Sequence, residues 1–357
     1  MGATGRQGTR ERRGGRGDAT MSGAAGRRTR RLRGWGGVGA MAGACALALT
    51  AALVLVPCEP AMDAPAGTAA VADGPGAPDV ARARPASDET CAHPEASLRP
   101  SSAAGPAVRR IQKRGYLVVG VDQDSYLWGY RDPNTNQLVG FDIDLVKAIA
   151  RDILGPDPRI VYRTVPTDQR IPAVRSHEVD MVVRTMSVTC DRIRQVAFST
   201  AYFEAGQQLL VPRTGTTVTG FDDSLRGKRV CTASGSTGEA LLRAEPHGAR
   251  IVLVANQIDC LVRLQLGQVD AVLTDNALAA GQAAQDPAVH LIGQPLTHEP
   301  YGVAMNLGDT DLIRRVNAVL DAYRAGGAHS PWTRSYDKWL AHDLPGISGP
   351  PAPLYED

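Results

Sequence analysis

Residues 179–192 read VDMVVRTMSVTCDR, an apolar run interrupted only by Asp180 and closed by Arg184, Thr185, Ser187, Thr189 and Arg192. A run of this kind reads as an interior strand. A buried core has no use for two guanidinium groups and three hydroxyls at the point where such a strand emerges. In open α/β sheets, however, ligands sit beyond the carboxyl ends of the strands. If the stretch is a strand end, it decides the fold class and points to the site together.

The surrounding sequence supports that reading. RRIQKRGYLVVGV reads as a short helix and then a strand, Tyr116–Val121. GFDIDLVKAIARDILG spaces Phe141, Leu145, Ile149 and Ile153 at helical intervals, with Asp142 and Asp144 in the first turn and Gly155 at the stop. The alternation continues with RIVYRTV (strand), QRIPAVRSHEV (helix), DMVVRTM, GQQLLVP and KRVCTA (strands), STGEALLRA (helix), ARIVLVA (strand), IDCLVRLQLGQV (helix) and DAVLTD (strand). A long helix over Asp311–Tyr323 follows. Such a series predicts an α/β protein with open, mostly parallel sheets. The 357 residues are enough for two cores.

Three further strand ends carry polar residues. Asp122 follows VVGV, Thr274 and Asp275 follow DAVL, and TASGSTGEAL is a glycine-containing loop that runs into a helix headed by Ser236, Thr237 and Gly238. Free amides at a helix start bind carboxylates, guanidinium groups match them in shape and charge, and Asp275 suits an ammonium. Together they complement a zwitterionic amino acid. Each residue also has a plain reading: Ser236 and Thr237 as helix caps, Asp275 as a turn or cap residue, Arg192 as a surface arginine, Arg184 as the partner of an internal carboxylate.

Charge is uneven along the chain. Residues 1–34 hold ten arginines against Glu11 and Asp18, a net +8, so a chain of net +2 leaves −6 for the remainder. The basic head lacks interleaved aromatics and is followed by an uncharged stretch from Val38 to Val56, which argues for a membrane and against nucleic acid. Residues 1–34 are then a basic leader region and 35–57 an apolar signal or anchor, with the later chain outside the cell. A start at Met21 would give a signal of more usual length. LVPC resembles the end of a bacterial lipoprotein signal, with Cys58 lipidated and 58–106 a Pro/Ala/Gly-rich tether. Pro57 departs from that pattern, and an uncleaved anchor helix is the other reading. In an oxidising compartment Cys91, Cys190, Cys231 and Cys260 allow three pairings. Placing Cys231 and Cys260 in one lobe favours Cys231 with Cys260 and Cys91 with Cys190. No zinc spacing, nucleophile elbow or phosphate loop occurs, so neither a metal, a cofactor nor an enzymatic activity is expected.

Taken together, GYLVVGVD, GFDIDLVKAIA, VDMVVRTMSVTCDR, FSTAYFEAGQQLLV, LRGKRVCTASGSTGEALL, GQVDAVLTD and EPYGVAMN resemble the polar amino-acid-binding family of extracellular solute-binding proteins that serve ABC importers. CDRIRQVAFS, DCLVRLQLGQVDAVLTD and QDP are similar to glutamate-binding lipoproteins of high-GC Gram-positive bacteria. The resemblance implies a two-lobe, periplasmic-binding-protein-like fold of type II. Lobe 1 would comprise 107–211 and 302–345, lobe 2 would comprise 212–301, and 346–357 would be a tail, with hinges near Gln207–Val211 and Tyr301–Met305. It implies that Arg192 grips the ligand α-carboxylate, helped by Ser187 and the amide at Thr237, and that Asp275 holds the α-ammonium. Thr185 would give a backbone contact, with Asp122 and Tyr126 at the side-chain end. Glutamine-binding members often carry lysine where this chain has Ala233; Arg184, or else Arg170, would replace that cation. Arg184 favours an acidic ligand and Asp122 an amide, giving the order glutamate, then aspartate or glutamine. A monomer delivering to an ABC permease is expected. A receptor reporting to a signalling pathway, or a dehydratase of the same fold, are the alternatives.

Overall fold

The computed structural model describes residues 91–356. The basic head, the apolar stretch and Cys58 lie outside the described residues. Two five-stranded sheets organise the chain. In the first, Ile160–Thr164, Leu117–Val121, Met181–Val182, Ala304–Met305 and Ala197–Phe198 lie side by side in that order. The first three run parallel, and Ala304–Met305 runs against both its neighbours. In the second, Arg250–Val254, Arg229–Ala233 and Ala271–Asp275 are parallel, followed by an antiparallel Gln207–Pro212 and then Val289–Ile292.

Each sheet is covered on both faces, as a parallel sheet requires. On one face of the first sheet pack Pro106–Arg114, Phe141–Leu154, Thr310–Arg324 and Pro331–Trp339. The helix Phe141–Leu154 buries Phe141, Leu145, Ile149 and Ile153, the four-residue stripe legible in the sequence; each such side chain contributes about 1.5–3 kcal/mol by leaving water. The other face carries a smaller core around Val174, Val179 and Val196. The second sheet repeats the plan with its own pair of cores. The mixed α/β sheets in two lobes are the type II architecture expected.

The lobes are joined where Phe203–Ala205 pairs antiparallel with Glu299–Tyr301. Beneath this crossing, Trp128 packs edge-on against Phe203 at 4.8 Å and Tyr301 at 5.7 Å. The hinge expected near Gln207–Val211 is therefore misplaced: that segment is an internal strand of the second sheet, hydrogen-bonded on both sides. Of Tyr301–Met305, only Tyr301 belongs to the crossing, because Ala304–Met305 is a strand of the first sheet. The first lobe accordingly stops near residue 202, before the expected 211.

Two further boundaries differ. Residues 91–105, read as the end of the tether, and 346–356, read as a tail, are both packed on the first lobe. Ser97 bridges to Tyr355, its hydroxyl donates to the Phe198 carbonyl at 2.6 Å, and Asn317 donates to it at 2.9 Å. The Tyr355 hydroxyl donates to Asp321 at 2.5 Å. Disulfides join Cys91 to Cys190 and Cys231 to Cys260. Among the described residues no helix is long and apolar enough to cross a membrane.

Candidate functional site

The strand Leu117–Val121 ends at Asp122, whose Oδ1 accepts the Gln123 and Asp124 amides at 2.9 and 3.3 Å and whose Oδ2 accepts the Ser125 hydroxyl at 2.7 Å. The Asp122 charge is met by Arg184, 2.9 Å away, both side chains being buried. Arg184 also donates to Thr167 at 3.0 Å and, across the lobe boundary, to Asn256 at 3.2 Å. Its Nε is buried without a partner.

The opening stretch does not continue as a strand past Val182. Thr185 sits at φ +41°, and its N–H leaves the ladder to donate to Asp142 Oδ2 at 3.1 Å. Burial pushes the Asp142 carboxyl up to about 7, against the pull of that bond and of the Tyr202 hydroxyl at 2.9 Å. This turn aims the following residues into the space between the lobes. Thr189 caps the short helix Cys190–Ile193, and from it Arg192 donates to the Ser187 carbonyl at 2.7 Å and to the Gly235 carbonyl of the second lobe at 3.0 Å. Burial lowers the Arg192 pKa, and the negative charges of Glu299 and Asp275 oppose that shift. Arg170 is buried too. It donates to the carbonyls of Thr167 and Arg184, and no carboxylate among the described residues stands within ion-pair distance of it. Burial, then the like charges of Arg192 and Arg184, push its pKa well down.

From the second lobe, the strand Arg229–Ala233 leads through Gly235, at φ +72°, into the helix Thr237–Ala244. Only glycine fits this turn, since a Cβ would stand 2.9 Å from Asp168 Cα of the facing lobe. Ser236 caps the helix by accepting the Glu239 amide at 3.1 Å. The plain reading of Ser236 therefore holds, while the amide of Thr237 heads the helix, where no intrahelical acceptor exists. Asp275 ends the strand Ala271–Asp275 opposite Gln207. Burial is the main cause that raises its pKa to about 7, helped by Glu299, while Tyr301, the Leu278 amide and Arg170 restrain it.

These residues enclose one cavity between the lobes, with about 380 Å³ of space free of atoms, mouth included. Asp122, Arg170, Arg184, Thr185, Ser187, Arg192, Ala233, Thr237 and Asp275 all line it. Tyr126 does not: it lines a neighbouring cavity with Asp124 and Gln282. Arg184, expected as a free cation for the ligand, is committed to Asp122, and the Ser187 hydroxyl donates to Glu299 at 2.6 Å. Glu299 went unread in the sequence. Its one visible signal is an ionisable residue opening the otherwise uncharged EPYGVAM; its role arises only from the meeting of both lobes. Gln207 and Gln257 were likewise missed among the lining residues. Among the described residues no cluster of three metal-binding side chains occurs.

The chain matches the family described as bacterial extracellular solute-binding proteins, family 3, over residues 117–342. It is 35% identical over 233 residues to the ABC transporter glutamine-binding protein GlnH of Bacillus subtilis, covering 65% of this chain and 84% of that one. It is 28% identical over 254 residues to the glutamate/aspartate import solute-binding protein of Salmonella typhimurium, covering 68% and 82%. Among solved structures, an ancestral arginine-binding protein bound to glutamine aligns with a TM-score of 0.59 at 35% identity, over 64% of this chain and 98% of that one.

Proposed function

Because the chain belongs to the bacterial extracellular solute-binding proteins of family 3, we propose that it captures an acidic amino acid, glutamate first, between its lobes and delivers it to an ABC importer from a membrane tether at Cys58. The observation that carries the ligand reading is the charge of the cavity wall. Three guanidinium groups, Arg170, Arg184 and Arg192, line it against two carboxylates, Asp122 and Asp275. Arg184 and Asp122 neutralise each other. Arg192, with the Thr237 amide, then serves the ligand α-carboxylate and Asp275 the α-ammonium. Arg170 is the cation left over, and a second ligand carboxylate would answer it. A buried charge without a partner costs several kcal/mol, so a dicarboxylate ligand gains where a neutral one does not. The cation that selects the ligand is thus Arg170, and Arg184 holds the wall in shape.

Glutamine is the second reading, favoured by the 35% identity to a glutamine-binding relative against 28% for a glutamate/aspartate one. Isothermal calorimetry with glutamate, aspartate, glutamine and arginine separates the two. With Arg170→Met, glutamate affinity should fall by about a hundredfold and glutamine affinity by about fivefold or less. Equal losses would return the ligand to glutamine. Arg192→Ala should weaken every amino acid by at least about a hundredfold, since all share the α-carboxylate. A variant that binds normally would remove the assigned grip.

A further inference from the structure

Glu299 lies on the returning crossing strand with only 4% of its surface exposed. Its Oε2 accepts the Ser187 hydroxyl of the first lobe at 2.6 Å and the Thr237 hydroxyl of the second at 2.8 Å, and its Oε1 accepts the Thr297 hydroxyl at 3.0 Å. The network extends to the other crossing strand. Gln207, two residues beyond it, donates its side-chain amide to Thr237 Oγ1 at 3.1 Å and its backbone N–H to Thr297 Oγ1 at 2.9 Å. One carboxylate oxygen therefore collects a hydroxyl from each lobe, and no cation stands within ion-pair distance of it among the described residues. An ionised carboxylate only accepts, so three converging hydroxyls are the donors it needs when buried.

We propose that Glu299 is a positioning residue that holds the two lobes together at the site and turns the hydroxyls of Ser187 and Thr237 away from the ligand, leaving the backbone N–H of Thr237 and the Arg192 guanidinium to receive its carboxylate. The two bonds to Oε2 coexist only while the lobes are closed, because their donors belong to opposite lobes. Opening breaks at least one of them. The carboxylate thus biases the closed arrangement independently of what the ligand is. A glutamine replaces it only in part: with its amide oxygen at the Oε2 position it keeps two neutral acceptor bonds but loses the charge, and it turns N–H toward Thr297, whose hydroxyl then loses its acceptor.

The proposal rests on the binding-protein reading for its ligand arm but not for its ligand-free arm, so the two can fail separately. Small-angle scattering of the ligand-free protein and calorimetry with glutamate are measured for wild type, Glu299→Gln, Ser187→Ala and the double variant. Glu299→Gln should enlarge the ligand-free radius of gyration and weaken glutamate about tenfold, the loss of one charge-assisted hydrogen bond. Ser187→Ala should do the same, and the double variant should add little to either, because the two residues act through one bond. If Glu299→Gln does not fold, Ser187→Ala and Thr237→Val each delete one lobe's donor and give the same readout. Wild-type dimensions in these variants, or additive losses in the double variant, would overturn the proposal. Enlarged ligand-free dimensions with no glutamate binding in any protein, wild type included, would keep the latch and sink the ligand assignment instead.

Discussion

At the scale of single residues, the buried carboxylates in and behind the cavity wall have different partners. Asp122 pairs with Arg184 at 2.9 Å, whereas burial raises Asp275 in the cavity wall, and Asp142 behind it at the Thr185 turn, to about 7. Because these two bind protons more tightly folded than unfolded, the stability they contribute is present at low pH and is lost as pH rises toward 7. Ligand-free stability should therefore increase from pH 7 to 5, by at most about 1.4 kcal/mol per unit and group. Binding should run the other way if, as proposed, the ligand ammonium pairs with ionised Asp275, with affinity falling up to about tenfold per unit below pH 7. Denaturant titration and calorimetry across that range check both slopes, and Asp275→Asn should flatten the binding slope. The sequence made most of these residues visible because polar side chains at strand ends stand out against apolar runs. It could not reveal which arginine lacks a carboxylate partner. Arg170 and Arg184 look alike in the chain, and only the 2.9 Å contact with Asp122 separates them.

At the scale of elements, periodicity carried the reading. The stripe on Phe141–Leu154 and the apolar runs of the sheet strands were legible because burial imposes them. The strand through DMVVRTM was read too long, since Met181–Val182 alone pairs and Asp142, distant in the chain, draws the Thr185 amide out of the ladder. The crossing was misplaced for a related reason: Phe203–Ala205 and Gln207–Pro212 are extended segments separated by a single glycine, and only their partners distinguish a link from a sheet strand. The helix Asn276–Gln285 of the second lobe meets the first at Gly281, where a Cβ would come within 2.6 Å of the Tyr126 carbonyl oxygen. Gly281→Ala favours the helix by up to about 1 kcal/mol but cannot keep this contact with the Tyr126 backbone, so it should weaken ligand binding at least about tenfold by blocking closure. Unchanged affinity would show that the lobes do not meet there on binding.

At the scale of the whole molecule, the covalent links divide by lobe. Cys231 and Cys260, separated by 29 residues, staple the second core, and Cys91 and Cys190, separated by 99, fasten the amino-terminal strap to the first. Replacing Cys231 and Cys260 with alanine should cost about 2–4 kcal/mol. Hydrogen exchange should place the loss within the second lobe, and protection lost equally in both lobes would contradict their separate cores. Cys190 stands two residues before Arg192, and the strap and residues 346–356 lie on the same lobe. A pull applied at Cys91 therefore enters the first lobe beside Arg192 and bypasses the paired strands that join the halves. Whatever load reaches Cys91 falls on the jaw that bears Arg192, and the other jaw hangs from it by two paired strands.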